Sequence, residues 1–370
     1  MNYLIEKNSP EPAYLQLYRF LVKDIVSGSY PFGTRLPSKR TIAAETGVSV
    51  ITAEHAFTLL IEEGYIEARQ RSGFFVTYRG ADFRGTAEPP VEERKENDAE
   101  PGTQEGMKFP FSVITKTMRR VLLDYGERIL IKSPNHGCVE LREELGRYLA
   151  RSRGISVRPS QIIVGSGAEY LYGLIVQLLG TERVYAIENP SYRKIKEVYE
   201  TMGATVDPLT MTADGIAGSE LKRTKAGILH VTPFNSFPSG VSADISKKME
   251  YIRWASERNE VLIEDNYDSE LTISTKAEEP LFSMAESANV IYVNTFSGTV
   301  APSVRIGYMI LPESMTEEFN QKLGFYSCTV PIFEQYVLAE LLKNGDFERH
   351  INRVRRIKRL RAATEKEDSV

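Results

Sequence analysis

Apolar positions in the first eighty residues recur first at helical and then at strand spacing. Leu15, Leu17, Tyr18, Leu21, Val22 and Ile25 share one helical face between residues 13 and 27, and Gly28 follows as a stop. Pro37-Ser38 opens a second helix at about Lys39 that Gly47 ends, and Ser49 opens a third that runs through Leu60 and Ile61 to Gly64. Within the third, Val48, Ala53, Ala56, Phe57 and Leu60 are predicted to face inward, which leaves Ser49, Val50, Thr52 and His55 outward. Two short strands, 65–69 and 74–76, then flank a turn at Gln70-Arg71-Ser72-Gly73. Three helices and a hairpin predict a winged helix-turn-helix over residues 1–79.

From Gly80 to Lys108 the pattern lapses into Pro, Gly, Glu and Asp, with eight acids against four bases, as expected of a flexible acidic linker. Beyond Phe109 apolar runs at 161–164, 184–187, 227–231, 261–263, 290–293 and 306–311 alternate with helical patterns such as 167–179 and 244–257. That alternation predicts, over residues 109–370, a three-layer α/β domain with a mostly parallel sheet between helices. No internal repeat is present.

A chain of 370 residues with 42% hydrophobic and 26% charged content is long enough for two domains. No apolar run reaches the roughly 18 residues of a membrane helix. The start lacks a basic segment followed by an apolar one, and Cys138 and Cys328 make no disulfide framework, so a cytoplasmic location is expected. No metal site is expected. A formal net charge of −4 excludes a protein that coats nucleic acid through bulk charge, so any DNA contact has to be local. Residues 1–80 carry nine Lys and Arg against eight Asp and Glu, yet Arg35, Lys39 and Arg40 cluster, as do Arg69 and Arg71.

In a helix-turn-helix the second helix of the pair enters the major groove with its first residues at the base edges. Leu-Pro-Ser-Lys-Arg at 36–40, Gly-Val-Ser at 47–49, Glu-Gly-Tyr at 63–65 and Gly-Phe-Phe-Val at 73–76 resemble the GntR-type winged helix over Pro12 to Val76. The resemblance implies that Ser38 and Arg40 contact phosphate or base, that Ser49 and Thr52 sit at the recognition helix, and that the wing from Arg69 to Gly73 reaches the minor groove. Where that family often carries Arg after Val-Ser, this chain has Val50, which could at most touch a thymine methyl.

Four segments of the large domain carry chemistry, each at a predicted strand end, where open α/β sheets bind ligands. Gly165-Ser166-Gly167-Ala168 opens a helix whose free amides suit a phosphate. Ile263-Glu264-Asp265-Asn266-Tyr267 offers an acid and a phenol, and Glu188-Asn189-Pro190-Ser191-Tyr192 an aromatic face. Thr295-Phe296-Ser297 with Arg305 adds hydroxyls and a guanidinium, which suit a phosphate dianion.

In this order the four segments resemble the fold-type I aminotransferase domain that binds pyridoxal 5'-phosphate. Behind a GntR-like winged helix and linker, that is the arrangement of the MocR transcription regulators. Gly137 with Leu141-Arg142, Val231-Thr232-Pro233, Phe237-Pro238-Ser239-Gly240 and Arg305-Ile306-Gly307-Tyr308 support it. The resemblance implies that Ser166, Gly167, Ala168, Thr295, Ser297 and Arg305 hold the phosphate, Tyr192 stacks on the ring, Asp265 pairs with its nitrogen and Tyr267 bonds its hydroxyl. Three positions depart from it. The Schiff-base lysine after Thr-Phe-Ser is replaced by Gly298, and Lys194 and Lys196, on another helix, are no evident substitute. Glu169 stands where Gln is usual. The chain stops at Val370, after the basic helix Arg349–Arg361, where the family continues into a C-terminal small lobe, so that lobe is expected to be missing.

The resulting expectation is a regulator that binds a double-stranded DNA operator, forms a homodimer, takes an amine or amino-acid effector and does not transaminate, with pyridoxal 5'-phosphate held non-covalently at most. Two other readings stand beside it: an active aminotransferase with an accessory DNA-binding module, and a ligand-free truncated regulator.

Overall fold

Each N-terminal helix forms where its capping residues place it. In the computed structural model, which describes residues 3–6, 9–79, 108–267, 269–272, 279–285 and 288–367, α1 (Ala13–Val26) is followed by α2 (Lys39–Thr46) and α3 (Val50–Glu62). The Ser38 and Ser49 hydroxyls cap α2 and α3 by accepting from the backbone N–H of Thr41 and Thr52, which satisfies donors that the first turn leaves open. A hairpin of β1 (Ile66–Arg69) and β2 (Gly73–Val76) pairs antiparallel from Ile66↔Val76 to Arg69↔Gly73. Leu17, Leu21, Ile42, Ala53, Phe57, Leu60 and Val76 fill the core, with Phe57 edge-on to Phe74 at 4.9 Å. Val48, expected inward, is only half-buried.

Two units are distinguishable, Met1–Asp98 and Ala99–Val370. The linker expected over 80–108 lies, Lys108 apart, outside the described residues.

The second unit opens with α4 (Phe111–Tyr125) and α5 (Val139–Arg153). Strands and helices then alternate as β3 (Ile162–Gly165), α6 (Ala168–Leu179), β4 (Val184–Asn189), α7 (Arg193–Thr201), β5 (Thr205–Thr212), β6 (Gly215–Ile216), α8 (Gly218–Arg223), β7 (Ile228–Val231), α9 (Ile245–Arg258) and β8 (Val261–Asp265). The short α10 (Leu281–Met284), β9 (Asn289–Thr295), β10 (Gly307–Ile310), α11 (Glu313–Leu323), α12 (Ile332–Lys343) and α13 (Asp346–Glu367) complete it. Among the described residues the strands form one eight-stranded sheet, ordered β3-β10-β9-β8-β7-β4-β5-β6. Pairing is parallel from β9 through β5; β10 runs antiparallel to both β3 and β9, and β6 to β5.

Successive strand residues point to opposite faces, so each buried strand feeds two cores. Ile163, Ile187, Ile263, Ile291 and Met309 meet α6, α7 and α11 on one face. Val164, Tyr292, Tyr308 and Ile310 meet α5, α12 and α13 on the other, continued by Leu229, Val231 and Leu262 against α9. The predicted basic helix is part of α13, and its Ile351 and Val354 are buried in that second face while Leu360 is exposed. Among the described residues no helix is long and apolar enough to cross a membrane.

Candidate functional site

On the winged helix, Arg35, Ser38, Arg40, Ser49, Val50, His55, Arg69 and Arg71 are exposed, and Lys39, Thr52 and Gly73 are half-buried. Several are already engaged. Lys39 pairs with Glu54 of α3 at 2.7 Å; Arg69 pairs with Glu67 at 2.7 Å and lies 4.4 Å above the Phe75 ring. The His55 ring is edge-on to Tyr14 at 5.8 Å, and the Thr52 hydroxyl bonds that of Ser49. Gly73, at φ +108°, lies against the Arg35 side chain, where a Cβ would stand 2.8 Å from Nε. Sequence reasoning missed Ile51, which is 66% exposed beside Val50 at 47%. Its signal was an apolar residue falling off the buried stripe of Ala53, Ala56, Phe57 and Leu60.

In the larger unit, sheet register assembles one end of the second site. Gly307 of β10 pairs with Gly165 on one side and with Thr295 on the other, so the turns that follow β3 and β9 and the one that precedes β10 meet at one sheet edge. Arg305 arrives there because β10 runs antiparallel, not from a parallel strand's carboxyl end. Ser166 and Thr295 are half-buried, and Gly167 is buried at φ +101° beneath Arg305, where a Cβ would stand 2.9 Å from Nη2. Ala168 begins α6.

Three hydrogen bonds change the expected assignments. Ser297 Oγ donates to the Val304 carbonyl at 3.1 Å, which leaves that oxygen as an acceptor for any further ligand. Arg305 Nη2 donates to Glu169 Oε2 at 2.8 Å, and Lys194 Nζ donates to Glu169 Oε1 at 3.0 Å. Burial acts to raise the Glu169 carboxyl, but its own backbone N–H, Lys194 and Arg305 outweigh that and hold it below the ordinary glutamate range. Lys194, set aside in the sequence as belonging to another helix, is therefore at the site. Its hydrogen bond to Glu169 keeps it charged, with its pKa above the usual lysine value.

At the other end, Asp265 is buried where β8 stops. Its Oδ2 accepts from the Tyr172 hydroxyl and lies 3.6 Å from His230 Nε2, and its Oδ1 accepts from the Tyr267 N–H at 3.1 Å. His230 Nδ1 is in turn 2.7 Å from the Tyr199 hydroxyl. His230 Nε2 is buried and has no hydrogen-bond partner among the described residues. Neither Tyr172 nor His230 was singled out in the sequence, although a histidine in the apolar run Ile228–Val231 is a visible signal. Glu188 is a further buried acid, accepting from Ser236 Oγ at 2.5 Å and from the Thr232 N–H at 3.0 Å. Burial pushes its carboxyl up to about 7 against those two bonds. Tyr192 is half-buried with Phe237 edge-on at 6.3 Å, and Tyr267 is 45% exposed.

This donor set fits a phosphorylated pyridine at both ends: a glycine cradle and a guanidinium at one edge, and a buried carboxylate at a strand end for a ring nitrogen. It carries no amine after Ser297, where Gly298 stands. Among the described residues no group of His, Cys, Asp and Glu could hold a metal ion.

Comparison with known proteins adds an independent line. Residues 13–76 match the bacterial regulatory proteins of the gntR family, and residues 101–367 match aminotransferase class I and II. The uncharacterized HTH-type transcriptional regulator YdeL of Bacillus subtilis (strain 168) is 33% identical over 95% of this chain and 78% of its own length. The probable rhizopine catabolism regulatory protein MocR of Rhizobium meliloti is 26% identical over 96% of this chain and 76% of its own. An archaeal alanine:glyoxylate aminotransferase has the same fold, with a TM-score of 0.62 and 25% identity over 68% of this chain and 64% of that one. The chain thus spans just under two thirds of that enzyme's length.

Proposed function

Since the chain belongs to the MocR-type transcription regulators, a GntR-type winged helix joined to a class I and II aminotransferase domain, we propose that its large domain senses a ligand for the DNA-binding domain and does not transaminate. The observation that carries this reading is Gly298. Covalent capture of a pyridoxal cofactor and the proton transfers that follow need a lysine amine within reach, and glycine offers only hydrogen there. The amine brought to the site, Lys194, is held as an ammonium by Glu169 and is a poor nucleophile in that state.

Pyridoxal 5'-phosphate would supply an electron-poor ring and an anchoring dianion. Gly167 and Ala168 at the start of α6, with Thr295 and Arg305, would bind the phosphate, and the Ser166 hydroxyl would add a donor. Asp265, backed by Tyr172 and His230, would hold a proton on the ring nitrogen. Tyr192 would cover the ring face and Tyr267 would bond the ring hydroxyl. In the DNA-binding unit, Arg35, Arg40 and Arg71 would neutralise phosphates while α3 offers Val50, Thr52 and His55 to base edges. Two copies would read paired half-sites, and an amine or amino-acid effector would act only by binding two dimer arrangements unequally.

The test is an absorbance titration with pyridoxal 5'-phosphate on this chain and on Gly298→Lys, beside an assay with amino donors and keto acids. The expected outcome is a visible absorbance band from covalent capture in the variant alone and no turnover by the natural chain. Turnover that disappears on replacing Lys194 would instead establish an enzyme.

A further inference from the structure

The edge expected to receive a phosphate already holds an anion of the protein's own. Glu169 sits in the first turn of α6, and each carboxylate oxygen takes a different cation: Oε2 that of Arg305 at 2.8 Å, Oε1 that of Lys194 at 3.0 Å. Arg305 Nη2 also lies over Gly167, so the guanidinium covers the start of the same helix, where the Gly167 N–H is donated to the Gly165 carbonyl at 3.0 Å and the Glu169 N–H to its own carboxylate. Guanidinium, ammonium and helix N-terminus are what a phosphate dianion would use. Here they surround a carboxylate.

We propose that Glu169 fills the phosphate seat in the ligand-free protein and must leave it before a phosphate ester can bind, so that Glu169 sets the concentration at which the site responds. This rests on the ligand-sensing reading above and adds the residue that tunes it. A second anion competes for the same donors and is repelled by the carboxylate a few ångströms away, a repulsion that water moderates because the Arg305 and Lys194 side chains are 49% and 44% exposed. The competent state is the fraction of molecules in which Glu169 has swung out, and apparent affinity falls by that fraction. A cofactor-dependent enzyme gains from tight retention, whereas a sensor gains from a threshold; an internal competitor supplies one without altering the ring contacts. The low carboxyl pKa has the same origin, since the three donors favour the charged form.

Glu169→Gln keeps the side chain's length and removes its charge. Equilibrium binding of pyridoxal 5'-phosphate, and of pyridoxal as a probe without phosphate, would be measured for the natural chain, Glu169→Gln, Glu169→Ala and the double variant Glu169→Gln/Arg305→Ala. Both single variants are expected to bind the phosphate ester at least about tenfold more tightly, while pyridoxal binding stays unchanged and the double variant loses the gain. Equal affinities in the natural chain and both single variants would overturn the competitor role and leave the ligand-sensing reading intact. An equal gain for pyridoxal would overturn it too, by showing an effect that does not pass through phosphate. No binding by any of the four proteins would sink the cofactor reading itself, and this inference with it.

Discussion

Ile51 and Val50 put branched aliphatic side chains at the exposed start of α3, the helix proposed to meet base edges. Exposed aliphatics there can read only apolar features of a base edge, and in the major groove that feature is the thymine C5-methyl. Replacing Ile51 with Ser is therefore expected to lower affinity for a selected operator several-fold, and replacing thymine by deoxyuridine at the contacted step to lower it similarly for the natural chain alone. Fluorescence anisotropy with both DNAs checks this, and an unchanged affinity for the uracil site would sink it. Glu188 makes a different kind of residue-scale prediction. Its folded carboxyl titrates at about 7, above its unfolded value, so the unfolded chain loses the proton first as pH rises. Stability should fall between about pH 4.5 and 7, by up to roughly 3 kcal/mol, and stay low above that. Glu264, buried and raised by the same cause, adds to the same limb. Urea melts across that range should flatten in Glu188→Gln. Asp265 was legible as a candidate partner for a ring nitrogen from its place at an apolar strand's end. Tyr172 and His230 were not, because their role depends on which strands and helices become neighbours.

Helix boundaries were the most legible elements, and the capping serines show why. Ser38 and Ser49 were assigned to DNA in the sequence; in the structure each hydroxyl also closes the first turn of its helix. Ser49→Ala should cost about 1 kcal/mol of the winged helix's stability, and Ser49→Asp should restore most of it. A denaturant melt followed through loss of DNA binding separates these, since Asp would cap the helix yet repel a phosphate. An alanine variant as stable as the natural chain would leave Ser49 with a DNA role only. Strands were legible where burial on both faces makes continuous apolar runs, as at Ile228–Val231 and Val261–Asp265. Strand β5 escaped because Thr205–Thr212 carries Pro208 and is largely exposed or half-buried towards the sheet's edge. The antiparallel direction of β10 escaped for another reason: a fully buried strand reads the same whichever way it runs. That direction is what delivers Arg305 to Gly167, so it bears directly on the site.

At the scale of the whole molecule, a chain with net charge −4 binds DNA only through a local patch, and the number of cations in that patch bears on how many copies bind. Arg35, Arg40, Arg69 and Arg71 are exposed on each winged helix, while Lys39 is held by Glu54. If each arginine neutralises one phosphate, the slope of log affinity against log salt should be about −4 for one copy and about −7 for two. Arg69 is partly committed to Glu67, which biases both values toward the shallower side. Measuring the slope for the natural chain and for Arg40→Ala tests the assembly from the DNA side. In a dimer with both halves engaged, Arg40→Ala removes two contacts and should flatten the slope by about 2; in a single bound copy it should flatten it by about 1. Sedimentation of the protein–DNA complex gives the copy number independently. A slope near −4 with a two-copy complex would mean that only one winged helix touches the duplex at a time, and the paired half-site reading would then be wrong.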